Sequence, residues 1–141
     1  MEDNLKENEK FIIFYLITIL VFFLSQGNIW YFGNNAGLDF NSGIPLVLIN
    51  GQLNALEGCA TISDSNEQLL FYKDDVTVYN KNHQIMPNGT NLKRHFLSSQ
   101  SAIIVPKPGS TAIYYIFTCT DISKPDGVRY SEVNMKLNTI T

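Results

Sequence analysis

Cysteine is scarce: Cys59 and Cys119 are the only two in 141 residues. That excludes a disulfide-dense scaffold and a four-cysteine zinc site. Charge is scarce as well, at 16% of residues with a net −3, so no basic field draws nucleic acid to the chain. Histidine occurs twice, as His83 and His95. HExxH, GxSxG, P-loop and GxGxxG patterns are all absent. Alanine is rare and asparagine common, a balance that disfavours a helical bundle. No stretch after Gly27 keeps an apolar period of 3.6 residues for three turns. What the chain does have is 45% apolar and 12% aromatic residues, enough to bury a core and too much for a disordered polymer.

The chain divides at Gly27. The leading segment carries Glu2, Asp3, Glu7 and Glu9 against Lys6 and Lys10. It then runs from Phe11 to Leu24 as FIIFYLITILVFFL, 14 residues without charge or proline. A membrane-spanning helix needs roughly 20 apolar residues and a signal-peptide core about 7 to 15. Ser25-Gln26-Gly27 then puts small residues where a signal peptidase cuts. Residues 1–27 are therefore expected to be a cleaved signal peptide formed around an N-terminal hydrophobic helix. The acidic leader departs from the usual basic one. The second reading is an uncleaved anchor from Phe11 to Phe32, with Trp30 and Tyr31 at the interface; a buried core helix ranks third, since no polar face relieves the run. Both leading readings place residues 28–141 outside the cytoplasm.

That remainder is nearly neutral and reads as strands and tight turns. Ile44–Ile49 (IPLVLI) ends at Asn50-Gly51. Cys59–Ser63 and Gln68–Tyr72 form a hairpin around Asp64-Ser65-Asn66-Glu67. Asp74-Asp75 turns the chain into Val76–Tyr79. Asn80–Leu97 is polar and irregular, with a turn at Pro87-Asn88-Gly89. Ser101–Val105 leads through Pro106-Lys107-Pro108-Gly109 to Ala112–Cys119, and Pro125-Asp126-Gly127 returns the chain into Val128–Met135. The two hairpins lie roughly 50 residues apart, a propeller repeat length. The expected fold is an all-β antiparallel meander of about one and a half propeller blades. The sheet over Ser101–Met135 is expected to lack its outer strand. Ile62, Leu70, Tyr72, Val78, Ile104, Tyr115 and Phe117, at strand centres, are the expected core.

A series of short motifs carries a more specific signal: Trp30-Tyr31-Phe32-Gly33, Ala36-Gly37-Leu38-Asp39-Phe40, Glu57-Gly58-Cys59-Ala60-Thr61-Ile62-Ser63-Asp64, Leu69-Leu70-Phe71-Tyr72, Val78-Tyr79-Asn80-Lys81-Asn82-His83, Met86-Pro87-Asn88-Gly89, Ser99-Gln100-Ser101-Ala102 and Ile104-Val105-Pro106-Lys107-Pro108-Gly109. In this order, over residues 28–137, they resemble the N-terminal region of large exported proteins of gliding bacteria. These carry a WD40-like β-propeller and a gliding-motility-associated, type IX (type B) sorting domain. Asp75 stands where such proteins tend to have glycine, and Tyr79 where they tend to have tryptophan. The resemblance implies that residues 28–141 are a partial propeller and that the chain is an N-terminal piece of the pattern.

Each candidate for chemistry has a plainer structural reading. Cys59 and Cys119 fall in different expected blades and read as two thiols sooner than as a disulfide. His83 and His95 lack a third ligand nearby, so His83 reads as bracing a loop. Asp74-Asp75 lacks the spacing of a calcium loop and reads as a turn, as does Asp64–Glu67. Ser98, Ser99 and Ser101 have no histidine at a motif spacing. Asn88-Gly89-Thr90 matches a glycosylation acceptor but is first a turn. Trp30-Tyr31-Phe32 has sugar-stacking chemistry, yet at the head of a β domain reads as a packed strand. No catalytic, cofactor-binding or metal-binding residue is assigned.

The functional expectation is a non-enzymatic, cell-surface or secreted propeller module, binding or scaffolding in adhesion or gliding motility. Its partners would be a protein or glycan ligand, and the secretion machinery through residues 1–27. No nucleic acid is expected, and contact with a membrane only through residues 11–24 if they stay attached. The alternative is the propeller portion of an exported peptidase or polysaccharide-acting hydrolase with its catalytic residues elsewhere.

Overall fold

The computed structural model describes residues 27–55, 58–92, 102–119 and 127–141. The segment Phe11–Leu24, with its signal-peptide and anchor readings, lies outside them, as do His95, Ser98, Ser99 and Ser101. The described residues are all-β, with ten strands in three antiparallel sheets.

The first sheet is a meander of β1 (Ile29–Phe32), β2 (Ala36–Asp39) and β3 (Leu46–Leu48). The middle sheet repeats that order with β4 (Ala60–Ser63), β5 (Leu69–Lys73) and β6 (Val78–Asn80). The third comprises β7 (Ala102–Pro106), β8 (Ile113–Cys119), β9 (Val128–Asn134) and the short β10 (Thr139–Ile140). The expected strands over Ile44–Met135 all form, most of them shifted or shortened by one or two residues.

The turns follow from local chemistry. Asp64 closes the β4–β5 hairpin: its Oδ1 accepts from the backbone N–H of Asn66 at 2.8 Å and of Gln68 at 3.0 Å. Glu67 takes the left-handed conformation there, with φ 60°. Asp74 does the same for β5–β6, its Oδ1 accepting from the N–H of Val76 and Thr77 at 3.0 and 2.8 Å. The residue after it, Asp75, is not among those with positive φ, so this turn has no need of glycine. Between β7 and β8, Ser110 N–H donates to Lys107 O at 3.0 Å, and Gly109 sits at φ 76°. Pro108 then Gly109 is the sequence a type II turn requires.

The three sheets stack in chain order. One face of the middle sheet, with Tyr72 and Tyr79, meets Ile29, Tyr31 and Leu48 of the first sheet, and Leu53 completes that cluster. The opposite face, with Ile62, Phe71 and Val78, meets Ile116, Val133 and Ile140 of the third sheet, together with Met86 and Leu92. Being covered on both sides, β5 loses the in–out alternation of a half-buried strand: Phe71, Tyr72 and Lys73 are each 0% exposed. The Lys73 ammonium is accommodated there by donating to the backbone oxygen of Asp75 at 3.2 Å.

Two expectations are corrected. Tyr115 and Phe117 are not core residues. On β8 the residues that point at the middle sheet are Ile116 and Thr118, both buried, while Tyr115 and Phe117 cluster with Tyr130 on the outer face. An unbroken run of apolar and aromatic residues from Ile113 to Phe117 does not reveal by itself which parity faces inward. The third sheet also has the outer strand it was expected to lack. After Asn134, whose Oδ1 accepts from Lys136 N–H at 3.1 Å and Leu137 N–H at 3.3 Å, the chain reverses through Asn138 at φ 50°. Thr139 and Ile140 then pair with Asn134 and Val133. This strand is tied to the earlier Pro87-Asn88 turn: Ile140 N–H donates to Pro87 O at 3.1 Å, and Asn88 Nδ2 to Ile140 O at 3.1 Å.

Candidate functional site

The densest side-chain constellation sits between the first and middle sheets. β1 supplies Tyr31, β5 Tyr72 and β6 Tyr79, and the three rings stack in that order. Tyr31 and Tyr72 have centroids 4.6 Å apart with planes at 21°; Tyr72 and Tyr79 are 5.3 Å apart at 18°. The expected packed N-terminal strand is thus present, with Tyr31 as its anchor. Glycine makes the space for this ring, since a Cβ at Gly51 would come within 2.8 Å of Tyr31 Cδ1.

His83 closes the polar end of the stack. It adopts φ 61°, and its ring lies edge-on to Tyr31 at 5.5 Å. The Tyr31 hydroxyl donates to Asn50 Oδ1 at 2.9 Å. That leaves Asn50 Nδ2 to donate to His83 Nε2, 2.9 Å away. The ring proton then sits on Nδ1 and faces the Tyr72 hydroxyl oxygen at 2.9 Å, which also accepts from Gln52 N–H at 3.2 Å. The predicted loop-bracing role of His83 is therefore realised through two side chains, with Asn50 the partner sequence reading had placed in a bare turn.

The electrostatics of this cluster oppose chemistry. Burial pushes the Tyr72 hydroxyl up to about 12. Tyr31 is raised by burial, and so is Tyr79, with the nearby Asp74 carboxylate adding to the effect. Burial lowers His83. The phenols are thus held protonated and the imidazole neutral, whereas a nucleophilic or general-base phenol needs its ionisation eased. The arrangement can fix the relative position of two sheets; it does not activate a group.

The other candidates separate in space. Asp74 is committed to its turn and to the Tyr79 hydroxyl, which donates to Oδ2 at 3.2 Å. Among the described residues no three His, Cys, Asp or Glu side chains gather as a metal site. Cys59 and Cys119 are free thiols. Cys59 is half-buried before β4, and burial raises its thiol; Cys119 is exposed at the end of β8. Trp30 points to the outside of the first sheet, tilted against Phe40 at 5.2 Å.

A cleft of about 470 Å³ opens between the Pro87–Leu92 segment and the paired ends of β8 and β9. Asn88, Thr90, Asn91, Thr118, Arg129 and Ser131 line it with amide, hydroxyl and guanidinium groups, while Leu92, Tyr130 and Ile140 make much of its wall apolar. Thr118 and Arg129 are direct cross-strand partners. Such a set hydrogen-bonds polar, oxygen-rich ligands and holds no nucleophile–base pair. Arg129 was not singled out from the sequence. The signal was its parity: in Val128–Met135 it alternates in step with Ser131 and the buried Val133, which places a cation on the inward face. No protein-family model matches this chain, and no curated protein or solved structure matches it either.

Proposed function

We propose that the chain is an exported, non-catalytic β-propeller module that binds or scaffolds at the cell surface, of the kind carried by gliding, type IX-secreting bacteria. On this reading the middle and third sheets are consecutive blades, and residues 1–27 direct export. The observation that supports it is the serial order of the stack: antiparallel meanders, each packed on the next in chain order, as propeller blades are. The cleft at Arg129, with polar groups set among the apolar Leu92, Tyr130 and Ile140, is the place offered to a glycan or a protein segment.

The test is fractionation of cells producing the full chain, with sequencing of its new N-terminus. Protein recovered outside the cytoplasm and beginning after Gly27, or within two residues of it, supports export by a cleaved signal. Intact Met1 in the membrane fraction replaces the signal with an anchor. Full-length protein in the cytosol overturns the reading.

A further inference from the structure

The chain holds two Asn-Gly pairs, Asn50-Gly51 and Asn88-Gly89, and the fold treats them oppositely. An asparagine followed by glycine is open to a reaction of its own. With no side chain on the next residue to obstruct it, the following backbone nitrogen can close on the asparagine side-chain carbonyl. At Asn88-Gly89 that route is shut. Asn88 stands at φ 60°, its Nδ2 donates to Ile140 O at 3.1 Å, and Gly89 N–H donates to Met86 O at 2.7 Å. The leaving nitrogen and the attacking nitrogen are both committed. Asn50-Gly51 differs on each count. It lies in the irregular segment between β3 and β4, Asn50 is exposed, and Gly51 N–H donates to no acceptor among the described residues.

The Asn50 carboxamide is also gripped at both ends. The Tyr31 hydroxyl donates to its Oδ1 at 2.9 Å, and His83 Nε2 accepts from its Nδ2 at 2.9 Å. Neither Tyr31 nor His83 is itself an attacking group. In the states that burial imposes, a protonated phenol and a neutral imidazole, each meets the end of the amide that ring closure needs met. We propose that Asn50-Gly51 is a self-modifying site, at which the folded chain converts its own asparagine to an acid. Gly51 N bonds to Asn50 Cγ, and the carbonyl electron pair moves onto Oδ1, where the Tyr31 O–H stabilises it. The Gly51 amide proton is handed through solvent to the lone pair on His83 Nε2 and from there to Nδ2. The Cγ–Nδ2 bond breaks, ammonia leaves, and a cyclic imide remains. Water opens the imide at either carbonyl, giving aspartate or its isomer linked through the side chain. One water is taken up and one ammonia released, with no oxidant, reductant or cofactor. The product sets a carboxylate beside Tyr31 and His83, in the contact that joins the first and middle sheets, so this joint records the age of the molecule as charge. The inference stands on these contacts and holds whether or not the chain is exported or a propeller.

Peptide mapping by mass spectrometry tests it on the full chain, incubated at neutral pH either folded or in guanidinium chloride. The mass gain from amide to acid is read separately at Asn50 and Asn88. Unfolded, the two pairs should convert at similar rates. Folded, Asn50 should convert at least about tenfold faster than it does in denaturant, while Asn88 stays intact. Tyr31→Phe keeps the ring stack and removes the donor to Oδ1; His83→Asn keeps the left-handed backbone and removes the proton carrier. Each should bring the folded Asn50 rate down toward the unfolded one. Asn88 in the same digest reports whether each variant is folded, and the wild-type comparison stands without either variant. An Asn50 that converts no faster folded than unfolded overturns the proposal. So does a folded Asn88 that keeps pace with Asn50, or an undiminished Asn50 rate in both folded variants. Scission of the chain after Asn50, by attack of Nδ2 on its own backbone carbonyl, overturns it in favour of a different reaction.

Discussion

The ring of Tyr31 lies on that of Tyr72, centroids 4.6 Å apart and planes 21° from parallel, and this contact joins the first sheet to the middle one. Tyr72 also carries polar duty through its hydroxyl, so its two substitutions separate packing from hydrogen bonding. Tyr72→Ala empties a site that is 0% exposed and should cost about 3–5 kcal/mol. Tyr72→Phe keeps the stack but strands the Gln52 N–H and the His83 ring, for about 1–2 kcal/mol. Urea denaturation of both variants reads the difference.

Stability should depend on pH through His83. Burial lowers its pKa below the ordinary 6.5, so on acidification the unfolded chain takes up this proton before the folded chain does. The contribution is complete above the unfolded value and is lost as pH falls from about 6.5 toward the lowered folded value. Protonation also sets an N–H of His83 against the Asn50 amide that had donated to it. Among the described residues the groups touching the ring are Tyr31, Tyr72 and Asn50, and burial is the cause of the shift. His83→Asn, which tolerates the same left-handed backbone, should flatten the decline between about pH 7.5 and 5.5. Chemical denaturation at both pH values checks it; an unchanged slope would assign the dependence to other groups.

Ser63 sits at the β-bulge between β4 and β5, where the register shifts. Its hydroxyl is buried with no hydrogen-bond partner among the described residues. Ser63→Ala removes that unsatisfied group at little cost in packing and should raise stability by about 1 kcal/mol. A rise in the thermal midpoint measures it; a fall would mean that the hydroxyl has a bound partner such as water.

The two faces of β8 give a direct check on its parity. Ile116, 0% exposed, should cost about 2–5 kcal/mol when replaced by alanine. Phe117, although the larger side chain, is only partly buried on the outer face, and Phe117→Ala should cost only about 1 kcal/mol. Equal losses in denaturant midpoint would put both residues in one core.

Strand positions were legible because β-rich runs are punctuated by asparagine, aspartate, glycine and proline, and those punctuators act locally: Asp64, Asp74 and Gly109 make the turns their sequence announces. What was not legible depends on distant parts of the chain. Thr139–Ile140 is too short to show a period and exists because Pro87 and Asn88 hold it. In Ile113–Cys119 every residue but Thr118 and Cys119 is apolar or aromatic, so the choice of inward face comes from what lies across the interface. Asn50 reads as half of an Asn-Gly turn, yet its amide joins Tyr31 to His83 because the loop folds over the aromatic stack. Arg129 became a cleft residue only when the Pro87–Leu92 segment was brought against its strand. Periodicity reports burial of a single face, and β5, buried on both, presents none.

That double cover of β5 has a consequence for the order in which the molecule opens. Water reaches the amides of the first sheet when its outer layer frays, and those of the third when β10 releases Pro87. The amides of Phe71, Tyr72 and Lys73 are reached only after one neighbouring layer has already separated. The middle sheet is therefore the slow-exchanging centre of the fold, and its opening free energy approaches that of global unfolding. Solvent enters this protein from the two ends of the stack inward.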